Sequence, residues 1–250
     1  MVILKTARDI RKMREAGKIS SGALREAGKA VQPGVSTLEI DNIARNYIEK
    51  QGAVPSFLGY GGFPASACIS VNNVVIHGIP SSKTILRSGD IVSIDVGAKF
   101  NGYHGDNAFT FPCGDVSEEA KALMNATREA LMRGIAQALA GNRLGDIGAA
   151  VQRYVEARSY SVVRDFVGHG VGAKLHEDPS VPNYGIPGRG VRLLPGMTIA
   201  IEPMVNLGTH RVRILDDNWT TVTADGKLSA HFEHTVAITP DGPVIMTLPD

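Results

Sequence analysis

Cysteine is scarce in this sequence, with only Cys68 and Cys113 among 250 residues. Two cysteines provide neither the disulfide framework of a small secreted protein nor the thiolate cluster of a structural zinc site. A reducing compartment suits such a chain. We therefore expect a cytoplasmic protein.

The chain also lacks an excess of either charge and any long apolar run. Its 26 lysine and arginine residues nearly balance 25 aspartate and glutamate residues, which gives a formal net charge of +1. This balance argues against nucleic acid or a membrane surface as the main partner. No apolar stretch approaches the roughly 20 residues that span a bilayer. The composition predicts a soluble protein with no membrane association and no direct nucleic-acid role, and we expect a monomer.

The sequence does contain enough apolar material for a substantial core. Hydrophobic residues make up 43% of the chain, and no linker or low-complexity tract divides it, so we expect a single domain over residues 1–250. Capping boxes at Thr6 and Ser36 each precede a helical pattern. Strand-like segments follow, then helices predicted over 118–140 and 144–157, then further strands. This order predicts an α+β fold of two similar halves, each with helices before a sheet.

The strongest local signal is a β-hairpin whose loop is Asn101-Gly102. With that loop Phe100 faces Tyr103, and Asp95 and Asp106 become diagonal neighbours on the face opposite the apolar one. Two carboxylates so close repel each other and raise each other's pKa. A cation between them is therefore expected. The alternative is that both aspartates are solvated on the open side of an antiparallel sheet.

Three further polar residues lie in strand-like or glycine-rich segments of the second half. His169 stands between two glycines, and Glu202 and Glu233 each interrupt an apolar, strand-like run. An acid within such a strand is unfavourable unless it is paired or binds a metal ion. For the two glutamates, the alternative is an ion pair with Arg211, Arg213 or another base.

Two strand predictions concern the neighbourhood of these glutamates. The run 197–205 is interpreted as one strand that contains Glu202. Segments 219–223 and 231–239 are predicted to pair as a hairpin across the turn at 224–226.

Together, two aspartates, two glutamates and one histidine stand mostly without a cationic neighbour in sequence. Four carboxylates carry four negative charges, which two divalent cations balance, and a neutral imidazole adds none. Oxygen-rich ligation with one nitrogen suits Mn, Fe(II), Co or Zn. Two metal ions about 3.5–4 Å apart activate water and polarise a carbonyl. The residues by themselves thus predict a two-metal hydrolase of open metal identity.

The same five residues, in order and in context, resemble the metal-binding pattern of the methionine aminopeptidase family. The contexts are the step from Asp95 to Asp106, HGVG around His169, IEPM around Glu202 and FEHT around Glu233. The resemblance covers essentially the whole chain and implies the pita-bread fold, a curved antiparallel sheet with outer helices and pseudo-twofold halves. It implies that Asp95 binds one metal ion, that His169 and Glu202 bind the other, and that Asp106 and Glu233 bridge both.

The resemblance also implies the reaction, the hydrolytic removal of N-terminal methionine from nascent proteins and peptides, with preference for a small second residue. It implies that Glu202 is the general base and that His77 and His176 are catalytic residues which bind the scissile amide. The partner implied is a nascent polypeptide, which the protein would meet at the ribosome. The residues implied to bind the substrate are Tyr60, Phe63, Cys68, His77, His176 and Trp219, and all of these except His176 are implied to line the methionine site.

The chain departs from better-known members of that family at three positions. Phe57 stands where they have cysteine, Phe63 where they have tyrosine, and Leu175 where they have phenylalanine. We expect the chemistry to survive these changes. The width of the pocket and the preference for the second residue are the properties that they put in doubt.

Three alternatives use the same scaffold. Prolidase-like enzymes share the five ligands but normally carry an additional amino-terminal domain, whereas only about 90 residues precede Asp95 here. The second class of methionine aminopeptidase carries a helical insertion, for which the intervals from His169 to Glu202 and from Glu202 to Glu233 are too short. We therefore expect the short, bacterial-like class. A binding protein without activity would be marked by lost ligands, and all five are present.

Overall fold

The computed structural model describes residues 1–248, in which α-helices pack against antiparallel strands. The helices are α1 (Ala7–Lys29), α2 (Thr37–Lys50), α3 (Glu118–Ala136) and α4 (Leu144–Glu156), with a short 3-10 helix at Tyr60–Gly62. The predicted α+β class is confirmed. Across the described part of the chain, no helix is long and apolar enough to cross a membrane.

The strands form one large sheet and two small ones. In chain order they are β1 (Val54–Pro55), β2 (Ala67–Val71), β3 (Val74–Ile76), β4 (Ile91–Phe100), β5 (Tyr103–Pro112), β6 (Ser161–Val162), β7 (Gly168–Gly170), β8 (Glu177–Val181), β9 (Thr198–Ile201), β10 (Met204–Asn206), β11 (Val212–Ile214), β12 (Thr221–Thr223), β13 (Ser229–His231), β14 (Glu233–Thr239) and β15 (Gly242–Ile245). The large sheet runs β1-β4-β5-β14-β9-β7-β8, with β2 on β4 and β15 on β14. The small sheets are β13-β10-β6 and β11-β12-β3.

The helix starts follow from local capping chemistry. Thr6 Oγ1 accepts the N–H of Asp9 at 3.3 Å, and the Asp9 carboxylate accepts the N–H of Thr6 at 2.9 Å. Ser36 and Glu39 repeat this reciprocal pair at 3.3 and 2.8 Å. Both predicted capping boxes are confirmed, and each satisfies amide groups that the first helical turn leaves unpaired. The end of α3 was predicted less well, because the helix stops at Ala136.

The predicted hairpin is confirmed in its register. β4 and β5 pair antiparallel around Asn101-Gly102, with Phe100 opposite Tyr103 and Asp95 opposite Ala108. The apolar face of β4 is fully buried against α1 and α2. The polar face carries both aspartates toward the other side of the sheet.

Helix α1 lies unusually close to the hairpin at a pair of glycines. A Cβ atom on Gly105 would stand 2.5 Å from the backbone of Gly17. Neither position has room for a side chain, so the glycines permit a helix-to-sheet approach that any other residue would block. This contact sets the distance between β5 and α1.

Each half of the molecule buries its own apolar cluster. The α1 and α2 half packs around Ile40, Ile48 and Ile94, while the α3 and α4 half packs around Leu123 and Ile147. β14 belongs to the second half and pairs with β5 of the first. The two halves therefore meet at the centre of the large sheet.

Two strand predictions are wrong. Strand β12 pairs with β11 and β3, whereas β14 pairs with β5, β9 and β15, so segments 219–223 and 231–239 are not hairpin partners. The turn at 224–226 does form, but both edges of β14 are taken by the large sheet. The run 197–205 is divided at Glu202-Pro203 into β9 and β10, because proline has no N–H to donate to a ladder.

Candidate metal centre and substrate cavity

The five residues predicted as metal ligands converge at the centre of the large sheet. Asp95 lies on β4, Asp106 on β5, His169 on β7, Glu202 at the break after β9, and Glu233 at the start of β14. One ligand atom from each of Asp106, His169 and Glu233 lies within 4.8 Å of the other two. Residues far apart in sequence are thus brought to one point by the pairing of β5, β14, β9 and β7.

The glycines around His169 are required by the crowding of the strands. A Cβ atom at Gly168 would meet the carbonyl oxygen of Ala200 at 2.3 Å, and one at Gly170 would meet that of Asp178 at the same distance. Glycine at both positions lets β7 lie tightly against its neighbours. The histidine ring between them is thereby directed into the carboxylate cluster.

Hydrogen bonding defines which nitrogen of His169 faces the carboxylates. Its Nδ1 lies 2.9 Å from the carbonyl oxygen of Gly170 and must donate, because a carbonyl accepts only. Burial, with a smaller contribution from His176, lowers the pKa of His169 to about 3. The ring is therefore neutral, and Nε2 carries a lone pair. Nε2 lies 3.8 Å from Asp106 Oδ2 and 3.6 Å from Glu202 Oε1.

Three carboxylates of this cluster each have a buried oxygen atom that accepts no hydrogen bond from the described residues. Asp95 Oδ1, Asp106 Oδ1 and Glu233 Oε1 have no hydrogen-bond partner among residues 1–248. Burial, followed by repulsion from neighbouring acids, raises the pKa of Asp95 and Glu233 well above the ordinary value. Burial and the nearby Asp106 raise the pKa of Glu202 well above its ordinary value. Burial raises the pKa of Asp106 to about 7.

This donor set fits divalent metal ions. Several carboxylate oxygens and one imidazole lone pair point at a common space, an arrangement that is repulsive unless a cation lies between them. The ion-pair alternative finds no support in the described residues, where Arg211 and Arg213 are exposed and make no ion pair with Glu202 or Glu233. The alternative in which both aspartates are solvated is also wrong, because Asp106 is 3% exposed and Asp95 Oδ1 is buried.

A cavity of about 190 Å³ opens directly above the carboxylate cluster. All five candidate ligands and all six predicted substrate-binding residues line it. Phe57 and Leu175, whose residue types were expected to affect the width of the pocket, also line the cavity. The lining residues that the sequence did not suggest are Ile76, Phe166 and Val167. Their apolar side chains narrow the cavity from several elements.

Two histidines lie on the walls of this cavity. His77 adopts a left-handed backbone with φ of 58°, an uncommon conformation for a residue other than glycine. Burial, and then the nearby His176, lower the pKa of His77 to about 4, so its ring is neutral. His176 lies at the exposed mouth, where Nδ1 is 2.8 Å from the Tyr60 hydroxyl and burial lowers its pKa. Both rings can therefore act as neutral hydrogen-bonding groups.

The aromatic residues provide an apolar wall. The rings of Phe63 and Trp219 meet edge to face with centroids 5.1 Å apart. Tyr60 is 45% exposed and lies at the rim, not within the packed cluster. Cys68, opposite Asp95 in the β2–β4 ladder, is buried, and burial followed by the Asp95 charge raises its thiol pKa well above the ordinary value. A neutral thiol of this kind is an apolar lining group and not a nucleophile.

One buried residue beside the cluster was not assigned a role from the sequence. His231 Nε2 lies 3.8 Å from Glu202 Oε2. The available signal was its position two residues before Glu233, on the same face of a strand-like run. Its proximity to Glu202 depends on the pairing of β13 with β10. No local sequence pattern predicts that pairing.

The fold and the donor set define a class of protein, a hydrolase that uses metal ions bound mainly by carboxylates. Residues 11–240 match the family model for metallopeptidase family M24. The chain is 58% identical to a methionine aminopeptidase of Clostridium perfringens and 55% identical to methionine aminopeptidase 1 of Bacillus subtilis, with 99% of both chains covered in each case. It is also similar to the crystal structure of a methionine aminopeptidase from Thermotoga maritima, with 46% identity, a TM-score of 0.97 and 99% of both chains covered.

The chain therefore belongs to metallopeptidase family M24 and, within it, to the methionine aminopeptidases. The pita-bread fold expected from the sequence is confirmed by this structural likeness. The family assignment also establishes a metal-dependent peptidase.

Proposed function

We propose that this protein removes the N-terminal methionine from peptides and nascent proteins, with preference for a small second residue. The observation that carries the proposal is the cavity in which buried, unpaired carboxylates lie beneath an aromatic wall. The relatives at 58% and 55% identity support the same reaction by name.

We further propose that two divalent ions, of Co, Mn, Fe(II) or Zn, are held by the five converging residues. Asp95 would hold one ion, His169 and Glu202 the other, and Asp106 and Glu233 would lie between them. Four carboxylates balance the charge of two such ions, and the unpaired oxygens support ligation. Bound there, divalent ions acidify water and polarise a carbonyl.

The chain's own residues would carry the proton transfers. Glu202 is the proposed general base, which accepts a proton from the attacking water and passes it to the leaving amine. His77 and His176 would donate hydrogen bonds to the scissile amide as charge develops on it. Their neutral state near pH 7 follows from the lowered pKa of both rings.

The methionine side chain would occupy the apolar part of the cavity. Phe63 and Trp219 form its edge-to-face wall, and Cys68 lies at its base. An unbranched thioether makes favourable contacts with aromatic ring edges and fills irregular space. Tyr60 and His176, joined by a hydrogen bond at the mouth, would contact the substrate as it enters.

The wider setting is also proposed. Nascent polypeptides are the partners that this reaction requires, and they emerge at the ribosome in the cytoplasm. The net charge of +1 gives no sign of a strongly basic surface for ribosomal RNA. We propose that the chain acts as a monomer and as a single catalytic domain.

Hydrolysis of a Met-Ala-Ser peptide by chelator-stripped protein, with Mn, Co or Fe(II) added back, tests the function. We expect metal-dependent release of methionine and slower cleavage of a Leu-Ala-Ser peptide. An X-Pro dipeptide is the control substrate, and its cleavage alone would indicate a prolidase. Binding of metal without cleavage of any peptide would contradict the proposal.

A further inference from the structure

His231 is a buried histidine that stands behind Glu202, outside the cavity lining. It is 1% exposed and lies on β13. Its backbone is locked to β5, because its N–H donates to Thr110 Oγ1 at 2.9 Å and its carbonyl accepts from that hydroxyl at 2.8 Å. The base of the side chain is thus fixed on a central strand.

The ring of His231 is aimed at one particular oxygen of Glu202. Nε2 lies 3.8 Å from Oε2, while Oε1 lies 3.6 Å from His169 Nε2. Among residues 1–248, His231 Nε2 has no hydrogen-bond partner. A buried nitrogen without a partner is costly. Glu202 Oε2, at 3.8 Å, lies about 0.6 Å beyond the upper end of hydrogen-bond length.

The two histidines that flank Glu202 differ in what they can offer. His169 donates its Nδ1 proton to Gly170, so it presents a lone pair. A second lone pair on the other side of a carboxylate would be repulsive, whereas an N–H at that position would be attractive. An imidazole ring carries at least one N–H, and His231 can place it on Nε2.

We propose that His231 is a positioning residue whose Nε2–H donates to Glu202 Oε2 and holds Oε1 toward His169. The inference deepens the proposed function and rests on it for the role of Glu202. Each carboxylate oxygen then has a separate task, one toward the metal ligands and one toward the histidine. Outer partners of this kind orient metal-binding side chains, and their loss typically weakens metal affinity or activity by about 10–100-fold.

Two substitutions separate hydrogen bonding from packing. His231→Leu keeps much of the volume and removes the donor, while His231→Gln offers an amide N–H at similar reach. We expect His231→Leu to weaken Mn binding to the stripped protein, which calorimetry measures, and to lower kcat. Metal affinity or activity should fall by about 10–100-fold. KM is expected within about twofold of the original value, because His231 does not line the cavity. His231→Gln should recover most of both losses.

His104→Leu is the matched control. His104 is another buried histidine, and its Nδ1 pairs with Ser56 Oγ at 2.8 Å. Its loss should affect unfolding more than metal affinity. Thermal unfolding of each stripped variant checks that the fold is intact.

Two results would overturn the role of His231. Wild-type metal affinity and kcat in a folded His231→Leu protein would show that no such hydrogen bond matters. Equal impairment of the Gln and Leu variants would show that ring shape matters and the donor does not. Failure of the wild-type protein to release methionine would contradict the proposed function instead, and the calorimetric comparison would still test the link to Glu202.

Discussion

Asp106 is one residue at which burial and charge oppose each other. Its side chain is 3% exposed, and Oδ1 lacks a partner within residues 1–248. Burial raises its pKa to about 7 from an ordinary value of 3.8. Without metal, the folded protein therefore keeps a proton on this carboxyl that the unfolded chain has already released.

This difference predicts the pH dependence of the metal-free protein. A raised folded-state pKa contributes stability that is complete below about pH 4 and is lost as the pH rises through about 7. Asp106→Asn removes the titrating group, so the stripped variant should be more stable than the stripped wild type at pH 8, on the order of a few kcal/mol. At pH 5 the difference should be clearly smaller, because the pH is only about one unit above the ordinary pKa of 3.8. Urea unfolding at both pH values measures this.

The exposed Asp165→Asn variant is the control, since it changes the same charge at the surface. It should show no comparable change between pH 5 and pH 8. A constant difference between Asp106→Asn and the wild type at both pH values would contradict the titration of Asp106.

His77 carries a second prediction at the residue scale. Its neutral ring lines the cavity without belonging to the carboxylate cluster. His77→Ala should lower kcat by roughly 10²–10³-fold, the usual cost of losing one donor to developing charge, while bound metal is spared. Turnover assays and metal analysis of the same samples measure both effects.

His77→Asn is the informative comparison, because asparagine tolerates the left-handed backbone that His77 adopts with φ of 58°. It should retain more activity than alanine. Loss of metal together with activity in both variants would show that His77 supports the metal centre and does not contact the substrate.

At the scale of elements, the segment before α1 is joined to the segment that carries His176. Lys5 Nζ contacts Glu177 Oε2 at 2.5 Å, and both side chains are 4% exposed. Glu177 Oε1 also accepts the N–H of Lys174 at 3.1 Å. One buried ion pair therefore connects the amino-terminal segment to the first residue of β8.

Breaking this pair from one side should be costly. Glu177→Gln leaves the Lys5 charge buried without a counter-charge, and we expect a loss of about 3–5 kcal/mol in the free energy of unfolding. The double variant Lys5→Met/Glu177→Leu should recover most of it, because no charge is left buried. Chemical unfolding of the wild type, the single variant and the double variant measures the free energy of unfolding of each. A double variant as unstable as the single one would show that packing, not charge, holds the segment.

The elements also show which features the sequence could predict. The capping boxes and the β4–β5 hairpin depend on residues close in the chain, so their patterns sufficed. The partners of β14 depend on which strand edges are available in the assembled sheet. The predicted hairpin with segment 219–223 was therefore wrong, because β14 pairs with β5 and β9. The five candidate ligands were found by chemistry and family context, whereas His231 was missed because β13 reaches Glu202 through pairing with β10.

At the scale of the whole molecule, the carboxylate cluster lies where the two halves meet. Asp95 and Asp106 come from the strands that follow α1 and α2, whereas His169, Glu202 and Glu233 come from those that follow α3 and α4. The pairing of β5 with β14 joins the halves directly above the buried charges. Repulsion among these acids therefore acts across the junction, and cations bound there would stabilise both halves together.

Metal binding should accordingly raise the unfolding temperature of the entire chain. A ligand at 100 times its dissociation constant adds about 2.7 kcal/mol, which corresponds to roughly 5–10 °C for a protein of this size. Calorimetric scans of stripped protein with and without Mn measure the shift, and a single shifted transition is expected if both halves respond together. Glu233→Gln should remove most of the shift, while exposed Asp165→Asn should retain it. An undiminished shift in Glu233→Gln would mean that the stabilising ion binds elsewhere, and two separate transitions would mean that the halves unfold independently of the cluster between them.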